Sequence, residues 1–242
     1  MKLVVFSDIH GNSFALDAFL TKLKSIEYDY LIFCGDIFGY YYNQSQIIEK
    51  LSEQRNLIWL KGNHDEYFVK LFYGKLEAAG YIENYGHSYD KLTERFTQKE
   101  VQLIESLASE YVLSIDNYKI GIFHGTPENP LEGRLYPDMH SVRESFYLPY
   151  DIVILGHTHC RMNRTIGTTA VLNPGSLGQP RDGSGFGFAV INTKSRTIDF
   201  QNVSFDQRLL YAQIDFYDSG LSKLKDVLER RRDSEANISN SY

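Results

Sequence analysis

Apolar and polar positions along the chain change their rhythm near its middle. The opening run from Lys2 to Phe6 is short and apolar from Leu3 onward, which predicts a buried strand. Phe14 to Ile26 follows with Phe14, Leu16, Phe19, Leu20 and Leu23 at helical spacing. A second strand is predicted over Tyr30 to Cys34, a second helix over Gln44 to Glu53 and a third strand over Leu57 to Leu60. Another helix is predicted to start at about Asp65. This alternation predicts a largely parallel sheet with helical crossovers. Glu77 to Ser109 reads as helical and amphipathic without a sharp motif. From Tyr111 the predicted strands are short and close together. They cover Tyr111 to Ile115, Lys119 to Phe123, Ile152 to Leu155, Thr169 to Leu172, Phe186 to Ile191 and Thr197 to Val203. Asp116-Asn117, Gly167 and Asn192 to Ser195 supply turns between them. Two sheets packed face to face, with helices outside, accommodate both halves.

From Leu221 the pattern becomes a charged helix carrying Lys223, Lys225, Asp226, Glu229 and Arg230 to Arg232, then a polar end that reads as frayed. No internal repeat or linker interrupts the 242 residues, so one domain spanning 1–242 is expected. No apolar run reaches the length of a membrane span, and Leu3 to Phe6 is too short for a signal peptide. A cytoplasmic chain without a membrane partner is therefore expected. Cys34 and Cys160 do not form a disulfide framework. The net charge of −6 disfavours a long nucleic-acid partner, whose binding rests on Lys and Arg stripes. It leaves room for a small phosphate ester, because bound metal ions invert the local field. Nothing in the sequence fixes the oligomeric state.

Candidate chemistry lies in the residues that follow the predicted strands. Asp8-Ile9-His10 comes after the first, Gly35-Asp36 after the second and Gly62-Asn63-His64-Asp65 after the third. His124-Gly125 and Gly156-His157-Thr158-His159 follow two strands of the second half. Strand carboxyl ends are where open α/β sheets form ligand sites. In Asp8-x-His10 and His157-x-His159 the outer residues point to one side if the backbone stays extended. Carboxylate, imidazole and amide oxygen together suit Mn, Fe, Zn or similar divalent ions, and the absence of thiolate ligands argues against a purely structural zinc. Two such ions roughly 3.5–4 Å apart clamp both oxygens of an in-line phosphoryl displacement.

This ordered series resembles the calcineurin-like metallophosphoesterase superfamily. Asn173-Pro174-Gly175-Ser176-Leu177-Gly178-Gln179-Pro180-Arg181 and His124-Gly125-Thr126-Pro127 resemble its small bacterial and archaeal branch, which includes phosphodiesterases and diadenosine tetraphosphate hydrolases. The resemblance runs from Met1 to about Val203 and implies an α/β fold, a four-layer α/β/β/α sandwich of two packed mixed sheets flanked by helices. It implies two divalent metals, with Mn as the first expectation and Fe, Zn, Ni or Mg as alternatives. Asp8, His10 and His159 would hold one ion, Asn63, His124 and His157 the other, and Asp36 would bridge them. His64 would contact the phosphate and protonate the leaving oxygen, with a metal-bound hydroxide as nucleophile and no covalent phosphoenzyme. The chain departs from the protein Ser/Thr phosphatase branch, which continues its second motif Gly-Asp-x-x-Asp-Arg-Gly. Here the motif reads Gly35-Asp36-Ile37-Phe38-Gly39-Tyr40, without the carboxylate that orients the histidine or the phosphate-binding arginine.

Around this core, Asp65 reads as a helix N-cap, and Asn12 or Ser13 as the cap of the helix from Phe14. Arg134, Arg161 and Arg181 are candidate phosphate partners. Tyr40, Tyr41 and Tyr42 follow the Asp36 turn as either a stacking surface or packed aromatics, while His87 and His140 lie outside every motif. A small-molecule phosphoesterase is the leading function. A nuclease of the same superfamily and a non-catalytic scaffold are the alternatives, and the complete ligand set disfavours the scaffold.

Overall fold

A computed structural model describes residues 1–89 and 96–229. Three short apolar runs form β1 (Lys2–Phe6), β2 (Tyr30–Phe33) and β3 (Leu57–Trp59), which pair in parallel. The crossovers are α1 (Ser13–Leu23) and α2 (Gln44–Ser52), and α3 (Asn63–Phe72) follows β3. Asn12 begins α1, its side-chain oxygen accepting the Ala15 N–H at 3.1 Å. Next come α4 (Ala78–Tyr85), α5 (Gln98–Ser106) and the strands β4 (Glu110–Ile115), β5 (Tyr118–Phe123) and β6 (Ile152–Ile154). They are followed by β7 (Arg161–Ile166), β8 (Thr169–Pro174), β9 (Gly187–Asn192) and β10 (Thr197–Asn202). The helices α6 (Gln207–Asp218) and α7 (Lys223–Glu229) complete the described chain.

The strands form two mixed five-stranded sheets, ordered β10-β9-β1-β2-β3 and β4-β5-β6-β8-β7. Alternation along each strand divides the side chains between faces. Leu3, Val5, Ile32 and Ile191 of the first sheet meet Leu113, Ile120, Ile122, Ile154 and Leu172 of the second in one apolar layer. The opposite side chains of the first sheet, Val4, Phe6, Leu31 and Phe33, pack under Leu16 and Phe19 of α1, Ile47 of α2, Phe68 of α3 and Val101 of α5. Each such fully buried side chain contributes roughly 1.5–3 kcal/mol. Over the outer face of the second sheet, Leu135 and Tyr147 cover Val153, Met162 and Val171. That segment carries one 3-10 turn, Glu144–Phe146. Among the described residues there are seven α-helices, and no helix is long and apolar enough to cross a membrane.

Two elements were not anticipated. The strand β7 reads Arg-Met-Asn-Arg-Thr-Ile and lies at a sheet edge, where polar residues blunt further pairing. Leu210 and Ile214 of α6 are one turn apart and pack with Leu224 of α7 over Tyr40 and Tyr41. The expected charged helix is present as α7, while Arg230 to Arg232 and the polar end lie outside the described residues, as do 90–95 of the expected helical middle.

Candidate metal centre

Backbone hydrogen bonds carry the parallel ladders past the ends of the strands and knit the site loops together. Cys34 N–H donates to Phe6 O at 3.0 Å, Asp8 N–H to Gly35 O at 3.0 Å, and Ile9 N–H to Asp36 O at 2.9 Å. On the second sheet Gly156 N–H donates to His124 O at 2.9 Å. The end of β8 and the segment after it clamp both Asp-x-His and His-x-His. Ser176 Oγ donates to Asp8 O at 2.7 Å, Gly178 N–H donates to the same oxygen at 3.0 Å, and Asn173 Nδ2 donates to Gly156 O at 2.6 Å.

The extended backbone expected for the two paired motifs is not what forms. Asp8 and His10 have φ of 55° and 50°, and His157 and His159 have φ of 64° and 59°. Asp36 is also left-handed, at 69°. Non-glycine residues adopt this region rarely and at a cost, so the surrounding hydrogen bonds and burial must hold it.

Asp8, His10, Asp36 and His159 form one group whose ligand-type atoms all lie within 4.8 Å of one another, and Asp36, His124 and His157 form a second on the same criterion. Asp36 belongs to both. Its Oδ2 lies 3.7 Å from His10 Nε2 and 3.5 Å from His124 Nε2. His159 Nε2 is 3.2 Å from Asp8 Oδ1 and 3.0 Å from His10 Nε2. Asn63 joins the second group through Oδ1, 3.1 Å from His124 Nε2. All seven residues predicted as ligands therefore converge, and all are buried.

Three imidazoles are oriented through their far nitrogen. Nδ1 of His10 meets Phe38 O at 2.6 Å, that of His124 meets Cys34 O at 2.7 Å, and that of His159 meets Gln179 O at 2.7 Å. A carbonyl only accepts, so each Nδ1 carries the proton and each Nε2 turns a lone pair into the site. Burial keeps His10 and His159 neutral, with values below the usual histidine range, and pushes His157 down to about 2. Burial pushes the Asp36 carboxyl up, and the neighbouring Asp65 and Asp8 carboxylates push it further. Burial opposes the charge on Asp8 as well, but the imidazoles around it, His159 foremost, together hold that carboxyl low.

Asp8 Oδ1 and Asp36 Oδ2 are buried without a hydrogen-bond partner. Such oxygens are costly unless a cation or donor satisfies them. Two carboxylate oxygens facing neutral imidazole lone pairs, with an amide oxygen beside them, make a donor set that fits divalent metal ions.

Asp65 does more than the cap role predicted for it. The N-cap position is Gly62, and Asp65 sits inside α3 with its carboxylate accepting four backbone N–H groups. They come from Gly62 at 2.9 Å, Asp36 at 2.9 Å, Ile37 at 2.8 Å and Phe38 at 3.1 Å. Asp65 thus ties the Asp36 turn to the start of α3. Gly62 permits the closeness, since a Cβ there would lie 2.0 Å from Asp36 Oδ1.

His64 is buried beside this centre, its ring 5.0 Å from that of His10, and burial holds it well below the usual histidine range. Its Nδ1 is hydrogen-bonded by the hydroxyl of Tyr81, a residue that no motif marked. Arg134 reaches from an exposed loop to place Nε 3.0 Å from His157 Nε2. Arg181 donates to the Tyr40 hydroxyl at 2.7 Å and to Gln179 Oε1 at 2.6 Å. The Tyr40 ring lies 4.9 Å from His10 and 5.1 Å from Tyr85. Tyr41 and Tyr42 turn away as packed aromatics, with hydroxyls on Leu224 O at 3.2 Å and Asp218 Oδ2 at 2.5 Å. Arg161 also leaves the site, donating to Gln201 O at 3.2 Å and packing over the Phe200 ring. His87 meets the buried Asp218 carboxylate at 2.5 Å, far along the chain from any motif.

Comparison with known proteins identifies the fold and the family. An uncharacterized protein of Methanocaldococcus jannaschii is 29% identical over 232 residues, covering 88% of this chain and 91% of its own. A hypothetical protein of Pyrococcus horikoshii has a crystal structure that superposes with a TM-score of 0.74 at 21% identity, over 94% of this chain and 96% of that one. A metallophosphoesterase from Sphaerobacter thermophilus superposes with a TM-score of 0.72 at 22% identity, over 95% and 98%. The sequence profile of the calcineurin-like phosphoesterase superfamily domain matches residues 1–196, which contain all seven converging side chains and His64. By that match and that fold the chain belongs to the calcineurin-like phosphoesterase superfamily.

Proposed function

We propose that this chain is a binuclear metal-dependent phosphoesterase acting on a small phosphodiester, nucleotide or dinucleoside polyphosphate. The observation that carries this reading is the shared position of Asp36, whose Oδ2 lies 3.7 Å from His10 Nε2 and 3.5 Å from His124 Nε2. One carboxylate within reach of an imidazole from each group suits two adjacent cations. Asp8, His10 and His159 would hold one ion, and Asn63, His124 and His157 the other. Two divalent ions bound there supply Lewis acidity towards the phosphoryl oxygens and an activated water.

The chain's own side chains orient and discriminate. His64, kept neutral by burial, presents a ring nitrogen to the leaving oxygen. Arg134 and Arg181 place guanidinium groups on either side of the centre, one at His157 and one at Tyr40, where further phosphates of a longer substrate would lie. The Tyr40 and Tyr85 rings, 5.1 Å apart and edge-on, give a nucleobase an aromatic wall. A small monoester engages few of these groups. The net charge of −6 weighs against a nucleic-acid duplex.

The test is kcat/KM for diadenosine tetraphosphate, a generic phosphodiester, a simple monoester, a phosphopeptide and a DNA duplex under one set of metal conditions. One of the first two is expected to win by at least about tenfold, or roughly 1.4 kcal/mol of transition-state binding. A phosphopeptide or duplex as the best substrate overturns the substrate class. A simple monoester as the best would leave Arg134, Arg181 and Tyr40 without a part in substrate selection.

A further inference from the structure

The carboxylate that orients the histidine in the protein Ser/Thr phosphatase branch is missing from this chain, and the structure shows what stands in its place. Gly39 occupies that motif position. It has φ of +89°, and a Cβ there would lie 2.6 Å from His64 Nδ1. A side chain at position 39 would strike the imidazole, and the partner of Nδ1 arrives from another element. That element is α4, an exposed helix whose single buried side chain is Tyr81. Tyr81 points its hydroxyl onto His64 Nδ1, and its ring packs edge-on against the imidazole at 5.6 Å. Behind it stands Tyr89, 1% exposed, whose hydroxyl lies 2.6 Å from the Tyr81 hydroxyl and 3.1 Å from His64 O.

The direction of these bonds follows from counting protons. Tyr89 has one proton for two acceptors, and the Tyr81 oxygen at 2.6 Å takes it ahead of His64 O at 3.1 Å, a carbonyl inside α3 that the helix itself pairs. The oxygen of Tyr81 is thus an acceptor there, and its own proton is directed at His64. Nδ1 must then be the unprotonated nitrogen, and a neutral imidazole carries its one proton on Nε2. A carboxylate on Nδ1 would enforce the opposite tautomer, because it can only accept.

We propose that Tyr81, backed by Tyr89, is the positioning residue of this active site, holding His64 as the neutral tautomer protonated at Nε2. This rests on the reading of His64 as the group that serves the leaving oxygen. In that role the Nε2–H donates to the leaving oxygen as negative charge builds there, a bond that strengthens in the transition state. Without Tyr81 the ring is free to exchange tautomers and to turn.

Two measurements on the full chain test this. Long-range proton–nitrogen NMR correlations of the chelated, histidine-labelled protein report which ring nitrogen of His64 is protonated, whether or not a substrate is turned over. The proton is expected on Nε2 in the native chain, with a mixture of tautomers in Tyr81→Phe. Kinetically, Tyr81→Phe is expected to lower kcat by about 10- to 100-fold for a diester with an alkoxide leaving group, the usual range for losing an outer partner of a site residue. KM should be unchanged, and the loss should be under about threefold for a p-nitrophenyl ester. In a His64→Ala background the same substitution should add nothing. Tyr89→Phe should show the same leaving-group pattern in milder form, and serves if Tyr81→Phe does not fold. A native His64 protonated at Nδ1 overturns the proposal. So does a Tyr81→Phe loss that is equal for both leaving groups or persists without His64. If the native protein hydrolyses no phosphate ester, the proposed function falls, and the tautomer measurement still decides the role of Tyr81.

Discussion

Replacing Asp65 by Asn exchanges one heavy atom in a side chain that is not itself a predicted ligand, yet the structure expects a large effect. The Asp65 carboxylate accepts N–H groups from Asp36 and Gly62 on one oxygen and from Ile37 and Phe38 on the other. The asparagine amide can offer its oxygen to one pair only. Its NH2 then faces the other pair, donor against donor, in a site with no exposed surface. Two orphaned buried backbone donors cost about 1–3 kcal/mol each, or roughly 2–6 kcal/mol together. Part of this is returned because a buried charge near Asp36 and Asp8 is removed, which leaves an expected loss of about 3 kcal/mol. For a chain of this size that corresponds to a fall in Tm of about 6–12 °C. The assay is a thermal melt of native and Asp65→Asn proteins in chelator, followed by reconstitution and elemental analysis. The Asp36 turn should be misplaced enough to weaken metal retention by about 10- to 100-fold. A Tm within about 2 °C of native, together with native metal content, would refute the view that Asp65 builds the bridging turn.

Other consequences follow from the same geometry. His64→Ala should retain its metal ions and lose about 100- to 1,000-fold in kcat, the cost of removing one donor to developing charge. Loss of metal in that variant would make His64 a ligand. In the ion-free protein His10, His64, His157 and His159 all have depressed values, so the unfolded chain binds protons at pH values where the folded chain does not. Their contribution is intact above the unfolded value of about 6.5 and is lost as pH falls below it, by at most about 1.4 kcal/mol per pH unit for each histidine. Asp36 and Asp65 are raised and oppose this, two groups against four. The Tm in chelator should therefore fall between pH 7.5 and 5.5, and a constant or rising Tm contradicts the buried neutral histidines.

Much of the site was legible in sequence because its chemistry demands particular residue types at strand ends. Asp8, Asp36, Asn63 and His157 each follow a short apolar run, and a run of that kind marks a strand terminus whatever its exact register. Backbone conformation was not legible. Nothing in Asp-Ile-His announces two left-handed residues, since those angles are imposed by Ser176, Gly178 and the Asp36 loop from distant parts of the chain. The edge strand β7 was hidden for a related reason: its Arg161 and Arg164 suit solvent and obscure the apolar alternation. Asp65 looked like a local cap because capping is a three-residue pattern, whereas its bonds to Asp36, Ile37 and Phe38 span 27 to 29 residues. Tyr81 left no signal at all. In an amphipathic helix a tyrosine reads as packing, and only the fold shows that its hydroxyl ends on His64.

The central claim is that Asp36 joins two metal sites in one phosphoesterase centre. Metal stoichiometry and activity measured on the same sample test it most directly. After reconstitution with Mn, elemental analysis should find two equivalents per chain, with phosphodiester hydrolysis rising in step with the second. Exhaustive chelation should abolish turnover and Mn should restore it, while Asp36→Ala should retain fewer than two equivalents and little activity. Full hydrolysis by a chelated protein free of metal, or an Asp36→Ala variant that keeps two equivalents and native turnover, would contradict the account.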